Sequence, residues 1–259
     1  ILGDSGSVIS AGLATPTLVT SIDAGIGGGD DIAKGDGNSI VVGGTASETI
    51  NVGAGTATIL GDSGTITADG ADNPITMISI DSAIGAGETI NHADGTSFVI
   101  GGMGGDTITT ATGAAAILGD AGQILTDGTK KPSFITSLDS QNGGDDTISA
   151  GTGGASVFGG FGSDNITTGD GDDAILGDVG TLTFVDGIRS KLVGTIEAPS
   201  YGAGDTILTN GGEDWVIGGA AADTITNISG ASAALGDAGV ITADAAGRYI
   251  NVLSTQPDD

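Results

Sequence analysis

The sequence predicts an all-β solenoid, short strands wound into a stack, and three observations carry that expectation. A motif recurs at a nearly fixed interval: Ile1-Leu2-Gly3-Asp4, Ile59-Leu60-Gly61-Asp62, Ile117-Leu118-Gly119-Asp120, Ile175-Leu176-Gly177-Asp178 and Ala234-Leu235-Gly236-Asp237, each followed by a Gly two residues on (Gly6, Gly64, Gly122, Gly180, Gly239). The starts at 1, 59, 117, 175 and 234 differ by 58, 58, 58 and 59, and a long fixed period means one unit stacked on copies of itself. Within each unit apolar residues recur every nine positions, as in Ile32, Val41, Ile50 and Ile59, or Ile148, Val157, Ile166 and Ile175. The third observation is composition: 51 Gly, few aromatics, and an apolar content of Ile, Val, Leu and Ala that suits thin stacked β-layers.

The expected organisation is one continuous solenoid over 1–259, with repeats 1–58, 59–116, 117–174, 175–233 and a truncated 234–259. Residue 1 opens within the motif, as expected of a piece of a longer array. Asp and Glu number 33 against 6 Lys and Arg, a net charge of -27. That balance argues against nucleic acid and anionic membranes and for bound cations. Without Cys there is no disulfide and no thiolate metal site. No apolar run is long enough to span a membrane.

Around each apolar position the residues follow a rule. An acid often stands two before it, and Gly or Ala four before it, as in Gly160-Phe161-Gly162-Ser163-Asp164-Asn165-Ile166. This nonapeptide, G-G-x-G-x-D-x-U-x with U apolar, resembles the calcium-binding RTX (repeats-in-toxin) family. The match covers about 36 of each 58 residues; the other 22 or so, such as 61–82, do not match. The resemblance implies a parallel β-roll in which two nonapeptides make one 18-residue coil and Ca²⁺ sits between turns of successive coils. In the unmatched segment Thr65-Ile66-Thr67 reads as a strand, Asp69-Gly70 and Asn73-Pro74 as turns, and 75–80 as a second strand. It is either an enlarged third coil or a hairpin. The fourth unit's extra residue is expected in a loop between Glu197 and Asp205.

Alternate nonapeptides separate the two edges of the roll. On one edge the acid position holds Asp30, Glu48, Glu88, Asp106, Asp146, Asp164, Asp205 and Asp223. On the other it holds Ser39, Ala57, Ser97, Ala115, Ala155, Asp173, Asp214 and Ser232. Metal binding is therefore expected on the first edge alone, in pairs one coil apart: Asp30/Glu48, Glu88/Asp106, Asp146/Asp164 and Asp205/Asp223. One strand spacing is about 4.8 Å; two carboxylates that close repel by about 1 kcal/mol in water and about 4 kcal/mol at an effective dielectric near 20. Oxygen-only ligands in a flexible cage suit Ca²⁺. The resemblance assigns the paired acids side-chain coordination and turn residues such as Gly144 and Gly162 carbonyl coordination. Two further columns follow the long period: Asp4, Asp62, Asp120, Asp178 and Asp237; and Asp23, Asp81, Asp139 and Glu197, offset by 19 residues, about one coil. They are either additional ligands or Asx-type turn caps.

The faces of the strands also differ. On the acidic edge's strands the outward neighbours are polar: Thr107 and Thr109, Thr147 and Ser149, Asn165 and Thr167, Thr224 and Thr226. On the alternate strands they are apolar, including Ile40, Val42, Phe98, Ile100, Phe158, Trp215 and Ile217, and a strand apolar on both sides is covered on both sides. The cover is either the 22-residue segment or a lateral partner, another copy of the repeat included.

Catalysis is not expected. Gly3-Asp4-Ser5-Gly6 and Gly61-Asp62-Ser63-Gly64 resemble a serine-protease nucleophile motif, but later copies carry Ala121, Val179 and Ala238 at the Ser position, and His92 is the single histidine. The functional expectation is a non-catalytic, calcium-stabilised structural, extender or adhesive segment of a large secreted or cell-surface bacterial protein. One alternative is the repeat region of an RTX-type secreted enzyme whose catalytic domain lies outside these residues. The other is an ice- or polysaccharide-binding solenoid using the Thr face.

Overall fold

The computed structural model describes residues 1–10, 15–71, 73–139, 141–195 and 202–255. Among them are 26 strands and no helix. The strands form two eight-stranded parallel sheets and one ten-stranded antiparallel sheet. The chain alternates between the parallel sheets, as the nine-residue period demands. Asp31–Lys34, Thr49–Ala54 and Thr89–Asp94 begin the outer sheet; Ser39–Val42, Ala57–Leu60 and Ser97–Gly102 begin the central one. Equivalent apolar residues pair along each sheet: Ile90 with Ile108 and Ile108 with Ile148 in one, Ile59 with Val99 and Val99 with Ile117 in the other. Their side chains fill a thin core between the two sheets.

The segment outside the nonapeptides is a hairpin, not a third coil. Gly64–Ala68 pairs with Pro74–Ser79, and Gly122–Thr126 with Pro132–Ser137, each antiparallel. Each hairpin also pairs with the next, Met77 opposite Ile124 and Ile135 opposite Leu182, so five hairpins make one sheet. Strand alternation aims every second residue inward. Val19, Ile66, Met77, Ile124, Ile135, Leu182, Leu192 and Ile241 consequently form one row, each facing the next across the ladder. This row packs on Ile40, Leu60, Phe98, Leu118, Phe158, Leu176 and Ile217 of the central sheet. The central strands are thus buried on both faces by the chain itself, while the outer sheet keeps Thr107, Thr109, Thr147 and Ser149 in solvent.

Tight turns close the hairpins. Asp69, Asp127 and Asp244 accept hydrogen bonds from backbone N–H groups two and four residues on, at 2.7 and 3.2, 2.7 and 3.3, and 2.9 and 3.1 Å. The fourth hairpin turns on two residues instead, Asp186 and Gly187, both at positive φ (52° and 76°), as a type I′ turn requires.

The recurring motif now has a steric meaning. Its Ile faces the core between the parallel sheets and its Leu faces the hairpins. Its last Gly seats that Leu: a Cβ at Gly64, Gly122, Gly180 or Gly239 would lie 2.4, 2.7, 2.8 or 2.4 Å from a Leu methyl. The fourth unit's extra residue falls outside the described residues, as does Glu197. Because Leu118 is fully enclosed, Leu118→Ala is expected to lower the unfolding free energy by about 2–5 kcal/mol. Thr109→Ala on the outer face should change it by under about 0.5 kcal/mol. Urea denaturation of the two variants measures both; equal losses would contradict the three-layer arrangement.

Candidate metal edge

Each acid of the first edge stands at the last turn position before an outer-sheet strand, so the parallel register stacks the eight in one column. The order is Asp30, Glu48, Glu88, Asp106, Asp146, Asp164, Asp205, Asp223. The six inner members are at most 2% exposed. The column is continuous, which corrects the expectation of separate pairs. The hairpin leaves the roll and returns, so residues 40 or 41 apart (Glu48 and Glu88, Asp106 and Asp146, Asp164 and Asp205) stand one strand apart just as those 18 apart do.

The aspartates use one oxygen each within the stack. Oδ1 of Asp106, Asp146, Asp164, Asp205 and Asp223 accepts from the backbone N–H of the acid one coil before, at 2.7, 2.7, 2.8, 2.8 and 3.0 Å. The other oxygen, Oδ2, is buried without a hydrogen-bond partner in Asp30, Asp106, Asp146, Asp164, Asp205 and Asp223. It lies against the Gly of the central-sheet motif: a Cβ at Gly101, Gly119, Gly159, Gly177 or Gly218 would come 1.9, 1.8, 2.1, 2.0 or 2.1 Å from it. The glycines keep space for an oxygen that has no donor. Of the turn residues assigned by resemblance, Gly144 donates its N–H to Asp120 at 3.1 Å. Gly162, at φ 124°, stacks over the Gly144 carbonyl.

The long-period acids divide into two kinds. Asp4, Asp62, Asp120 and Asp178 sit beside the column and tie successive turns together. Asp4 accepts from Gly28 at 3.1 Å and Thr45 at 2.9 Å, Asp62 from Met103 at 2.6 Å, Asp120 from Gly144 and Phe161, and Asp178 from Ala220. Asp237 is exposed at the end of the stack. Asp23, Asp81 and Asp139 are exposed turn residues in the left-handed region, at φ 59°, 52° and 63°. Their 19-residue offset is the span of a hairpin, not a coil, so the second column runs at the hairpin roots. Asp139 accepts there from Ser82 at 2.6 Å and Asn142 at 2.7 Å.

The second edge differs in having a cation of the chain's own beside its acids, while Asp173 Oδ2 is still buried without a hydrogen-bond partner and burial raises Asp173 to about 7. Asp173 and Asp214 are its two acids, and Asn227 donates to Asp214 at 3.2 Å. Arg189 reaches in from the fourth hairpin, donates to the carbonyls of Asp173 and Glu213, and lies 4.7 Å from the Trp215 ring centre. Where no acid stands, the same place holds a neutral pair, His92 Nδ1 with Ser97 Oγ at 2.7 Å, both buried. On the first edge no Lys, Arg or His among the described residues pairs with an acid. The single ion pair among the described residues joins Arg248 to Asp244 on a hairpin tip.

Burial without counter-charge raises these carboxyls. Desolvation, with repulsion from neighbouring acids added, lifts Asp62, Asp164 and Asp205 to about 8 and Glu48 and Asp178 to about 7. Glu88, Asp120 and Asp146 are raised strongly for the same reasons. All donors offered are oxygens, several buried and unpaired, which fits a hard divalent cation such as Ca²⁺ and not Zn²⁺. Sequence reasoning aligned the acids but missed the glycine space beside them and the approach of Asp62 to Glu48 and Glu88, both of which depend on the third dimension.

A carboxyl raised above its unfolded value of 3.8 binds protons better folded than unfolded. Its contribution is complete below about pH 4 and is lost as pH rises through the folded values near 7–8. Asp69, Asp127 and Asp244, lowered by their hydrogen bonds, act oppositely below the usual carboxylate range. In EDTA the melting temperature should therefore be highest at about pH 4 and fall steadily to pH 8.5, and calcium should abolish the fall; a melting temperature flat over that range in EDTA would contradict buried, uncompensated carboxyls. No protein-family model, no curated protein and no solved structure matches this chain, so its function is argued from its residues and their geometry.

Proposed function

We propose that the chain is a calcium-stabilised, non-catalytic segment of a large secreted or cell-surface protein, serving as a structural, extender or adhesive module. One observation carries the reading: along one edge the aspartate Oδ2 atoms and both oxygens of Glu48 and Glu88 are buried with neither donors nor counter-cations among the described residues. Asp30, Glu48, Glu88, Asp106, Asp146, Asp164, Asp205 and Asp223 would hold the ions, with carbonyls of turns such as those at Gly144 and Gly162. Calcium neutralises the column and couples its own binding to folding, adding RT ln(1 + [Ca²⁺]/Kd) to stability. Sites of this kind in extracellular modules bind at about 0.1–1 mM, a range that makes rigidity a response to the medium outside the cell. The nonapeptide resemblance to RTX proteins points the same way, and it equally accommodates the repeat region of a secreted enzyme.

Calcium titration followed by circular dichroism should increase β-structure and raise the melting temperature; a melting curve indifferent to EDTA would falsify the calcium reading. Asp164→Ala should remove bound calcium locally, whereas Asp173→Ala should leave the calcium content unchanged, and equal losses would contradict a one-sided edge.

A second reading attaches to the outer face. Thr107 pairs with Thr147, and Thr109 with Ser149, so exposed hydroxyls align in rows on a parallel sheet. Such rows suit ice or polysaccharide, although Asn51, Asn91 and Leu208 interrupt them. Thermal hysteresis or glycan binding lost in Thr109→Tyr supports it; neither activity in the wild-type chain refutes it.

A further inference from the structure

The step between Glu48 and Glu88 differs from every other step of the column. These are its two glutamates, on neighbouring strands through the pairing of Thr49 with Thr89. Neither spends an oxygen on the backbone ladder. Glu48 Oε1 and Oε2, Glu88 Oε1 and Oε2, and Asp62 Oδ1 are all buried without a hydrogen-bond partner. Both glutamates are 2% exposed and Asp62 5%. One oxygen from each of the three lies within 4.8 Å of the others. The Ala46 N–H and the Asp106 carboxyl neighbour the glutamates outside hydrogen-bonding geometry.

Two substitutions account for this. A glutamate arm is one methylene longer than an aspartate arm, so the carboxyls extend past the backbone ladder to the long-period acid. At the equivalent Asp120, Gly144 N–H occupies Oδ1; beside Asp62 the matching residue is Ala86, whose N–H neighbours the carboxyl but lies outside hydrogen-bonding geometry, leaving Oδ1 unpaired. Among the described residues no other step brings three carboxylates this close.

We propose that Glu48, Asp62 and Glu88 form a distinct three-carboxylate divalent-cation site in which Asp62, outside the nonapeptide pattern, is a ligand that ties the Gly64–Ser79 hairpin to the roll. The proposal rests on the calcium reading of the edge. The five free oxygens approach the roughly six to eight that calcium takes. Asp62 lies two residues before Gly64, where the hairpin begins, and its other oxygen holds Met103 N–H in the following turn. An ion here joins two coils and the root of the covering layer, which a two-acid step does not.

The test uses the whole chain with calcium alone, counted by equilibrium dialysis, and hydrogen exchange of the hairpins. In the double variant Glu48→Gln and Glu88→Gln no hydrogen bond is lost and repulsion is relieved, so folding is retained. It should bind about one ion fewer than wild type and melt a few degrees higher in EDTA. Calcium should then no longer protect amides of Gly64–Ala68 while still protecting Gly122–Thr126. Asp62→Asn, which keeps an acceptor for Met103, should lose the same ion. An unchanged ion count in the double variant overturns this site; if Asp164→Asn still loses an ion, the edge reading survives it. A wild-type chain that binds no calcium overturns both.

Discussion

Stacking like coils places the same side chain over itself at every step, so an acid at one position of the repeat becomes a line of like charges about 4.8 Å apart. In water such a line costs little; inside a folded edge each neighbouring pair costs several times more. This chain both aligns the acids and buries them, with six inner members at most 2% exposed. From Asp106 onward it commits half of each aspartate to the backbone N–H of the coil before and leaves the other half facing a glycine. The rest of the first edge follows. Glycine is required where a Cβ would enter that space, and no cationic side chain among the described residues is paired with the column.

The second edge offers a contrast within the same molecule. It has the same turns and the same strand spacing. Where acids appear on it, at Asp173 and Asp214, the chain supplies Asn227 and the half-buried Arg189, itself stacked on Trp215. Where acids are absent, small or neutral polar residues close the space, as in His92 with Ser97. The chain places a cation of its own near two carboxylates on this side, and among the described residues none pairs with the eight on the other.

Periodicity made much of this legible. Ile32, Val41, Ile50 and Ile59 mark two facing sheets because strand alternation and coil length together permit one arrangement. The apolar outward residues of the central strands, Phe98, Ile100 and Leu118 among them, demanded a cover, and the unmatched segment was the nearest apolar surface. What periodicity could not separate was a third coil from a hairpin, because both return the chain to the same edge after 22 residues. That ambiguity propagated: the 19-residue offset of Asp23, Asp81 and Asp139 passes for a coil until the hairpin is seen to fill it. Nor does a one-dimensional pattern reveal that Glu48 and Glu88, 40 residues apart, are adjacent, or that Asp62 approaches both.

The place where each hairpin departs explains how an insertion of this length leaves the roll in register. It leaves on the acidic edge, directly after the Asp of the long motif, and returns to the same edge. Lengthening one turn in two costs little loop entropy, and the Val19-to-Ile241 row offsets it by closing the apolar face of the central sheet. The departing Asp remains behind as a staple. Asp4 and Asp120 each hold backbone N–H groups from two successive turns, and Asp62 and Asp178 hold the later one. In a solenoid, stability accumulates between neighbours. Here the contact between coils, the root of the covering layer and the charged column therefore converge on a single residue per repeat, and whatever neutralises the column acts on all three layers at once.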